Sequence, residues 1–333
     1  MSYDSDLISL FEEIAPAVGA TCDVEPLHRR AGKLQFGNGS VLFFRKNHLN
    51  VNRAGNARMA ADKSFLSTFL AGMGFRTLPE VTISRFDLKR GTIDPAKRSQ
   101  VSQFAAQNNW LTVVKPNAMS QGRGVRMTGD QKQLFDSILE TLAVDRVCIV
   151  QQYCPMPEYR LVVLRDCLLQ AYRRQPMTVV GNGFSSIEEL VRTKLKTLSE
   201  SRHEDFSPDL FLNISRTVNC KGRRVTDVAA LGERIVVADT ANLSAGGEAT
   251  DVAGSLNPKW ADLAVELARK CGLLLAGVDI FIDDISDGNS DYRVIELNSA
   301  PGLDDYLFQG SVQKSRVLAL YQRVLETVAT AAT

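Results

Sequence analysis

The chain has 333 residues, 44% of them hydrophobic and 23% charged, with a formal net charge of +1. This length allows two or three domains around a large core, and the near-neutral charge excludes an electrostatic surface for nucleic acid or an anionic membrane. No apolar run reaches the ~18 residues of a membrane span, and the acidic start MSYDSDLISLFEE lacks the regions of a signal peptide, so a cytoplasmic protein is expected.

Residues 4–18 have helical periodicity, with Leu7, Leu10, Phe11 and Ile14 on one face. LQFGNG and SVLFFRKN (34–47) read as a hairpin around a Gly-Asn-Gly turn. Residues 57–74 are predicted as one helix ended by glycine, followed by a loop into a strand at PEVTI. WLTVVKP (110–116) is a buried strand, 130–143 a helix and RVCIVQQY (146–153) a further strand. Residues 159–176 form a strand pair turning at Arg165-Asp166, and 185–198 a helix. Residues 199–237 mix charge with short apolar pieces and read as a surface excursion. Asn257 caps a helix with Pro258 at its first position, running through Cys271. GVDIFIDD (277–284) and YRVIELNSAPG (292–302) are apolar strands, and an amphipathic helix covers about 311–327.

The cysteines at 22, 148, 154, 167, 220 and 271 are scattered without CxxC, which argues against a zinc site or disulfide framework. The histidines, His28, His48 and His203, are isolated and assemble no triad; His203 reads as a solvated loop residue.

Chemistry concentrates at a few points. Asp279 sits between Val278 and Ile280, while Glu296 and Asn298, two apart, share one face of a strand. Their oxygens form a hard ligand set suited to Mg²⁺, with substrate phosphates supplying the remaining ligands. In VVKPNAMSQGRGV (113–125), the loop from Ser120 to Gly124, with Gly122, exposes backbone N–H groups that cradle phosphate. Lys115 at the strand end adds a point charge. VQQYCPMPEYR (150–160) fits a linker crossing between lobes. A purine would bond its backbone near Gln151, Tyr153 and Cys154, with Glu158 on the ribose hydroxyls. Arg160 and one of Arg173 and Arg174 supply cations for a transferring phosphoryl group; strand alternation admits only one, and Arg174 is chosen. TANLSAGGEAT (240–250) is a small polar loop that could close over a substrate carboxylate through Asn242.

Taken in order from about 34 to 303, these motifs resemble the ATP-grasp superfamily of carboxylate–amine ligases. Within it the chain looks most like the ATP-grasp part of cyanophycin synthetase and the glutathione synthetase module of bifunctional glutathione enzymes. VVGNG before SSIEELV, and DTANLSAGG before a helix and AGVDIF, carry that finer likeness. The resemblance implies an α+β fold: two ATP-grasp lobes sandwiching ATP (57–153 and 154–330), preceded by a small N-terminal α/β domain (1–56). It implies that Lys63 and Lys115 hold nucleotide phosphates beneath the 120–125 loop, and that Tyr153 and Cys154 line the adenine pocket. Glu158 would bind ribose, and Asp279, Glu296 and Asn298 would hold two Mg²⁺ ions. Arg160 and Arg174 would contact the γ-phosphate and an acyl phosphate.

Two departures stand out. The family often has an acidic residue where this chain has Gln151, whose amide oxygen would accept from the adenine amino group instead. Position 277 is Gly where D-alanine ligases carry arginine, so Arg160 would serve, as in the glutathione-synthetase-like branch. Cyanophycin synthetases continue into a Mur-ligase-like half; the chain ends at Thr333 without one, so a single kind of bond is expected.

The implied activity is ATP-dependent amide ligation through an acyl phosphate, joining small-molecule or short-peptide carboxylates and amines, with no nucleic acid or membrane partner. Ligation of side chains within a ribosomal peptide, a small-molecule kinase and a non-catalytic ATP-binding regulator stay open, as does a homodimer. The sequence names neither the acid nor the amine.

Overall fold

The computed structural model describes residues 6–202 and 208–331, so the reading of His203 falls outside the described residues. Helix α1 (Asp6–Ile14) buries Leu7, Leu10, Phe11 and Ile14, the face its periodicity predicts. Strands β1 (Ala20–Val24), β2 (Ala31–Phe36) and β3 (Val41–Arg45) form an antiparallel sheet in that order. The expected hairpin is β2–β3, whereas β1 was not anticipated, although Ala20, Cys22 and Val24 alternate with polar Thr21 and Asp23 and pack on the core. The buried side of these elements packs with Val317, Leu320, Tyr321, Val324 and Leu325 from the far end of the chain in one core.

The single helix expected at 57–74 is two: α2 (Ala54–Ala61) and α3 (Lys63–Gly72). Asp62 between them is extended at φ −90°, ψ 99°, and its side chain accepts from the Phe65 N–H at 3.0 Å. An aspartate that caps the next turn competes with continuing the previous one. The break makes Lys63 the first residue of α3.

Strand β4 (Glu80–Ser84) is followed by the two-residue strands β5 (Leu88–Lys89) and β6 (Thr92–Ile93). Helix α4 (Pro95–Gln107) is capped by Asp94 with Pro95 at its start, a signal in the sequence that was passed over. Then come β7 (Thr112–Pro116), β8 (Arg126–Thr128), α5 (Gln131–Val144, capped by Asp130) and β9 (Val147–Gln152). The order β4-β9-β7-β8 is antiparallel throughout, and α4 and α5 cover one face around Ile83, Val101, Val114, Leu134 and Ile138.

Strands β10 (Glu158–Leu164) and β11 (Cys167–Gln175) turn at Arg165, as expected. Strand β12 (Thr178–Val180), α6 (Ile187–Arg202), α7 (Pro208–Cys220) and β13 (Arg234–Val236) follow. The surface excursion expected over 199–237 is corrected here. Ile214 and Val218 of α7 pack with Val191, Val179, Ile235 and Val237 in a core of their own. Charged residues on the outer faces hide that short apolar stripe from a reading by composition.

Strand β14 (Glu248–Asp251), α8 (Pro258–Lys270, capped by Asn257), β15 (Leu275–Ile282), β16 (Tyr292–Asn298), α9 (Asp304–Leu307) and α10 (Ser311–Ala331) complete the chain. The five-stranded sheet runs β14-β11-β10-β15-β16. Its Leu161, Val163, Val278 and Ile280 face α2, α3 and α8. The opposite face carries Arg160 and Asp279 at one end and Val162, Leu164 and Leu275 at the other. Period-2 alternation thus points Glu158, Arg160, Arg174 and Asp279 away from the helices. A bulge after Asp279 shifts the β15–β16 register, so that Val294 and Leu297 both reach the helical core and Glu296 faces away from it.

Candidate active site

A cleft of about 760 Å³ lies between the four-stranded and five-stranded sheets. Lys63, Lys115, Ser120, Gly122, Gln151, Tyr153, Cys154, Glu158, Arg160, Arg174, Asn242, Asp279, Glu296 and Asn298 all border it. Gly124 does not: it packs on Pro116, whose ring a Cβ at this position would meet at 3.0 Å. Gly122 and Gly124 have φ of 65° and 75°, so glycine lets the loop turn twice in a short span. A Cβ on Gly122 would meet Thr240 Oγ1 at 3.2 Å and Asn242 Nδ2 at 3.3 Å. The loop tip therefore rests on the 240–242 segment.

Sheet register assembles the centre. Tyr172 pairs with Arg160, Arg160 with Asp279, and Asp279 with Glu296. Arg160 grips Asp279 with two donors: Nε to Oδ1, and Nη2 to Oδ2 at 2.5 Å. Arg174 Nη1 donates to Glu158 at 3.1 Å and to Asp279 at 3.2 Å. Asn298 Nδ2 donates to Asp279 at 3.2 Å and to Glu296 at 3.1 Å. Burial disfavours the charge on Arg174, but Asp279, Tyr172 and Glu158 together outweigh it and raise the guanidinium pKa. Burial raises the Glu158 pKa, and Arg174 opposes it. Arg173 is exposed, as alternation requires when Arg174 faces the cleft.

Lys63 Nζ donates to the Met119 carbonyl at 2.7 Å and stands 3.4 Å from Glu296. Lys115 is buried and donates to Gln151 Oε1 at 2.9 Å; Gln151 Nε2 donates in turn to Glu80 at 2.8 Å. In this arrangement the Gln151 oxygen is engaged by Lys115 rather than turned toward a purine. Burial lowers the Lys115 pKa, offset by Glu80 and Glu296. Burial raises the pKa of Glu80, with Lys115 pulling against it. The acid that Gln151 lacks is thus supplied by Glu80, one strand over. Sequence reading missed it, although an acid opening the strand EVTIS was a visible signal. Asn117 was missed too: its Oδ1 accepts from the Ser64 N–H at 2.9 Å and ties the start of α3 to the glycine loop. Asp239 also borders the cleft; burial raises its pKa, and a hydrogen bond to Thr217 of α7 opposes that.

The donor set Asp279, Glu296 and Asn298 has the hard-oxygen chemistry of a Mg²⁺ site. The carboxamide turns its nitrogen toward both carboxylates here, and a rotation about its last torsion presents oxygen instead. Among the described residues no group of three or more His, Cys, Asp or Glu is arranged to hold a metal alone. Any ion at this set would draw its other ligands from phosphate or water.

Burial alone would raise the Glu296 pKa, but Lys63 and Lys115 hold it down at about 2. A depressed carboxylate contributes stability above its unfolded value near 4.5, and that contribution disappears as pH falls through about 2. Wild type is expected to exceed Glu296→Gln by about 3 kcal/mol at pH 7, with the gap closing toward pH 2. Denaturant unfolding across that range checks this, and a gap independent of pH contradicts it.

Comparison with known proteins finds similar sequences and similar folds. Residues 228–314 match the model for the RimK-like ATP-grasp domain. The chain is 26% identical over 230 residues to the glutathione biosynthesis bifunctional protein GshAB of Clostridium perfringens, covering 65% of this chain and 28% of that protein. It is 28% identical over 255 residues to cyanophycin synthetase of Geminocystis herdmanii, covering 73% of this chain and 28% of that protein. The matched part thus spans 28% of the length of each of these curated relatives. Among solved structures, a bifunctional glutathione synthetase from Pasteurella multocida aligns with a TM-score of 0.55 at 20% identity, over 93% of this chain and 43% of that one. The D-alanine–D-alanine ligase of Bacillus anthracis aligns with a TM-score of 0.51 at 12% identity, over 84% of this chain and 70% of that one. No helix among the described residues is long and apolar enough to cross a membrane. The chain carries the α+β ATP-grasp fold, and its residues 228–314 are similar to the RimK-like ATP-grasp domain.

Proposed function

We propose that this protein is an ADP-forming carboxylate–amine ligase that activates an amino acid or short peptide as an acyl phosphate. The observation that carries this reading is the row Arg160–Asp279–Glu296 facing Lys63 and Lys115 across one cleft. Lys63, Lys115 and the loop around Ser120, Gly122 and Gly124 hold the nucleotide phosphates. Tyr153 and Cys154 line the base, and Glu158 takes the ribose. Asp279, Glu296 and Asn298 hold two Mg²⁺ ions, which when bound supply charge neutralisation at the phosphate oxygens. Arg160 and Arg174 place fixed cations where an acyl phosphate and its attacking amine would meet, so catalysis rests on positioning and electrostatics. Cys22, Cys148, Cys154, Cys167 and Cys271 are free, which supports a reducing cytoplasm as the setting.

Hydroxylamine tests the reaction type. ATP, Mg²⁺ and the correct acid, without the amine, are expected to yield a hydroxamate and ADP. Arg160→Lys is expected to lower that yield about tenfold, because a point charge cannot reproduce the bidentate fork. A stable phosphate ester, with no hydroxamate from any acid that stimulates ADP release, would replace the ligase by a kinase.

A further inference from the structure

Strand β16 ends at Asn298, and the chain from 299 to 303 runs on without regular structure to α9. Three successive carbonyls of that stretch each accept a side-chain donor from another part of the fold. Ser299 O accepts from Asn52 Nδ2 at 2.6 Å, Ala300 O from Asn47 Nδ2 at 2.5 Å, and Pro301 O from the Tyr321 hydroxyl at 3.4 Å. Both asparagines lie between β3 and α2, in a segment that Lys46 turns out of β3 at φ 52°. Asn52 is buried, and its Nδ2 also donates to Leu275 O at 2.7 Å. Its Oδ1 accepts from the Leu274 N–H at 2.7 Å and the Leu275 N–H at 3.2 Å. Two donors and two lone pairs are all that a carboxamide has. The β15–β16 ladder stops at Gly277 and Asn298, and its register carried further would set Leu275 against Ala300. At this point Asn52 bonds both chains, in the manner of a peptide group, and fixes their separation.

The held stretch turns back over the site. A Cβ on Gly277 would meet Pro301 Cβ at 2.9 Å and Arg160 Cδ at 3.2 Å, so Pro301 packs on β15 beside the arginine that grips Asp279. A residue at the end of a strand has ladder bonds on one side only, so its direction depends on the peptide planes that follow it. We infer that Asn52 and Asn47 are positioning residues for the cation site. They fix the 299–300 and 300–301 peptide planes, and with them the direction in which Asn298 presents its carboxamide beside Asp279 and Glu296. Groups that orient a metal ligand govern affinity although they never touch the ion. The N-terminal segment thus takes part in setting a site whose ligands all lie on β15 and β16. The inference rests on the ligase reading only in taking Asp279, Glu296 and Asn298 as the cation's ligands.

The test uses Mn²⁺, which shares the hard-oxygen preference of Mg²⁺ and whose free form is counted by electron paramagnetic resonance. Wild type, Asn47→Ala, Asn52→Ala and Tyr321→Phe are titrated with Mn²⁺ at saturating ADP, and ADP affinity is measured separately without metal. Asn47→Ala gives up one half-buried bond, so its unfolding temperature is expected to fall only slightly. Its Mn²⁺ affinity in the ADP complex is expected to fall about tenfold, and that of folded Asn52→Ala about a hundredfold, the range seen when a group orienting a metal ligand is lost. Metal-free ADP affinity is expected to hold in both. Tyr321→Phe surrenders one long bond, farther from Asn298, and is expected to change little. Where Asn52→Ala does not fold, Asn47→Ala decides. Equal Mn²⁺ affinity in wild type and Asn47→Ala overturns the proposal. So does a matching loss in Tyr321→Phe, which would mean loosened packing, and so does a loss of metal-free ADP affinity, which would place Asn47 on the nucleotide. A wild type that binds no Mn²⁺ with ADP removes the cation site and the proposal with it. Hydroxamate formation separates the two readings. Selective metal loss in the variants, with no hydroxamate from wild type, keeps the positioning role and removes the ligase; hydroxamate with equal metal affinities does the reverse.

Discussion

Asp279→Ala is expected to destabilise the protein by about 3–5 kcal/mol, the size expected when one partner of a buried ion pair is removed. The carboxylate is 2% exposed and accepts from Arg160 twice, from Arg174 and from Asn298. Without it, two guanidinium groups share a sheet interior with Glu158 and the more distant Glu296 left to offset them. An exposed pair would be worth far less, because water screens both ions and competes for both partners. Urea unfolding of wild type and variant, with equal slopes, measures the difference. A loss below about 1 kcal/mol would place the pair in the class of solvated bridges and remove it as the device that fixes the β10–β15 register.

Lys115→Ala is expected to behave in the opposite way. In the ligand-free protein its ammonium is buried and its pKa lowered, so deleting it removes a desolvated cation as well as its bond to Gln151. These effects oppose each other, and the unfolding temperature is expected to change little. ATP affinity is expected to fall about 100-fold, because a charge-assisted bond to phosphate is lost with no water able to replace it at depth. Calorimetric titration with ATP and Mg²⁺ checks this. Unchanged affinity would take Lys115 out of the nucleotide site and leave it as the buried partner of the Gln151–Glu80 pair.

Much of the site was legible in the sequence because strand alternation is a local rule. Asp279 between two apolar neighbours, Glu296 and Asn298 two apart, and a single inward arginine at 173–174 all followed from a period of two, which did not itself select Arg174. The glycines at 122 and 124 announced a loop, although only Gly122 borders the cleft. The helix at 57–74 failed for a reason that was also local. Asp62 lies inside an apolar periodic run, and its capping bond outcompetes continuity, which periodicity does not weigh. The 199–237 segment failed because its apolar residues meet partners from β12, β13 and α6 rather than from their own turns.

The amino-acid sequence by itself therefore determined which residues carry charge toward the cleft, and where helices begin through Asp94, Asp130 and Asn257. Those signals act over four residues or fewer, within reach of a single turn or pleat. Which charges meet was decided only by the tertiary structure. Arg160 finds Asp279 119 positions away and Gln151 finds Glu80 71 positions away. The first meeting depends on the sheet order β11-β10-β15-β16 and the second on β4-β9-β7, neither of which a local pattern encodes. The unpartnered hydroxyl of Tyr172 belongs to the same class: a tyrosine in a strand is ordinary, and only packing shows that its ring is stacked on Tyr306 while its oxygen is buried without a partner.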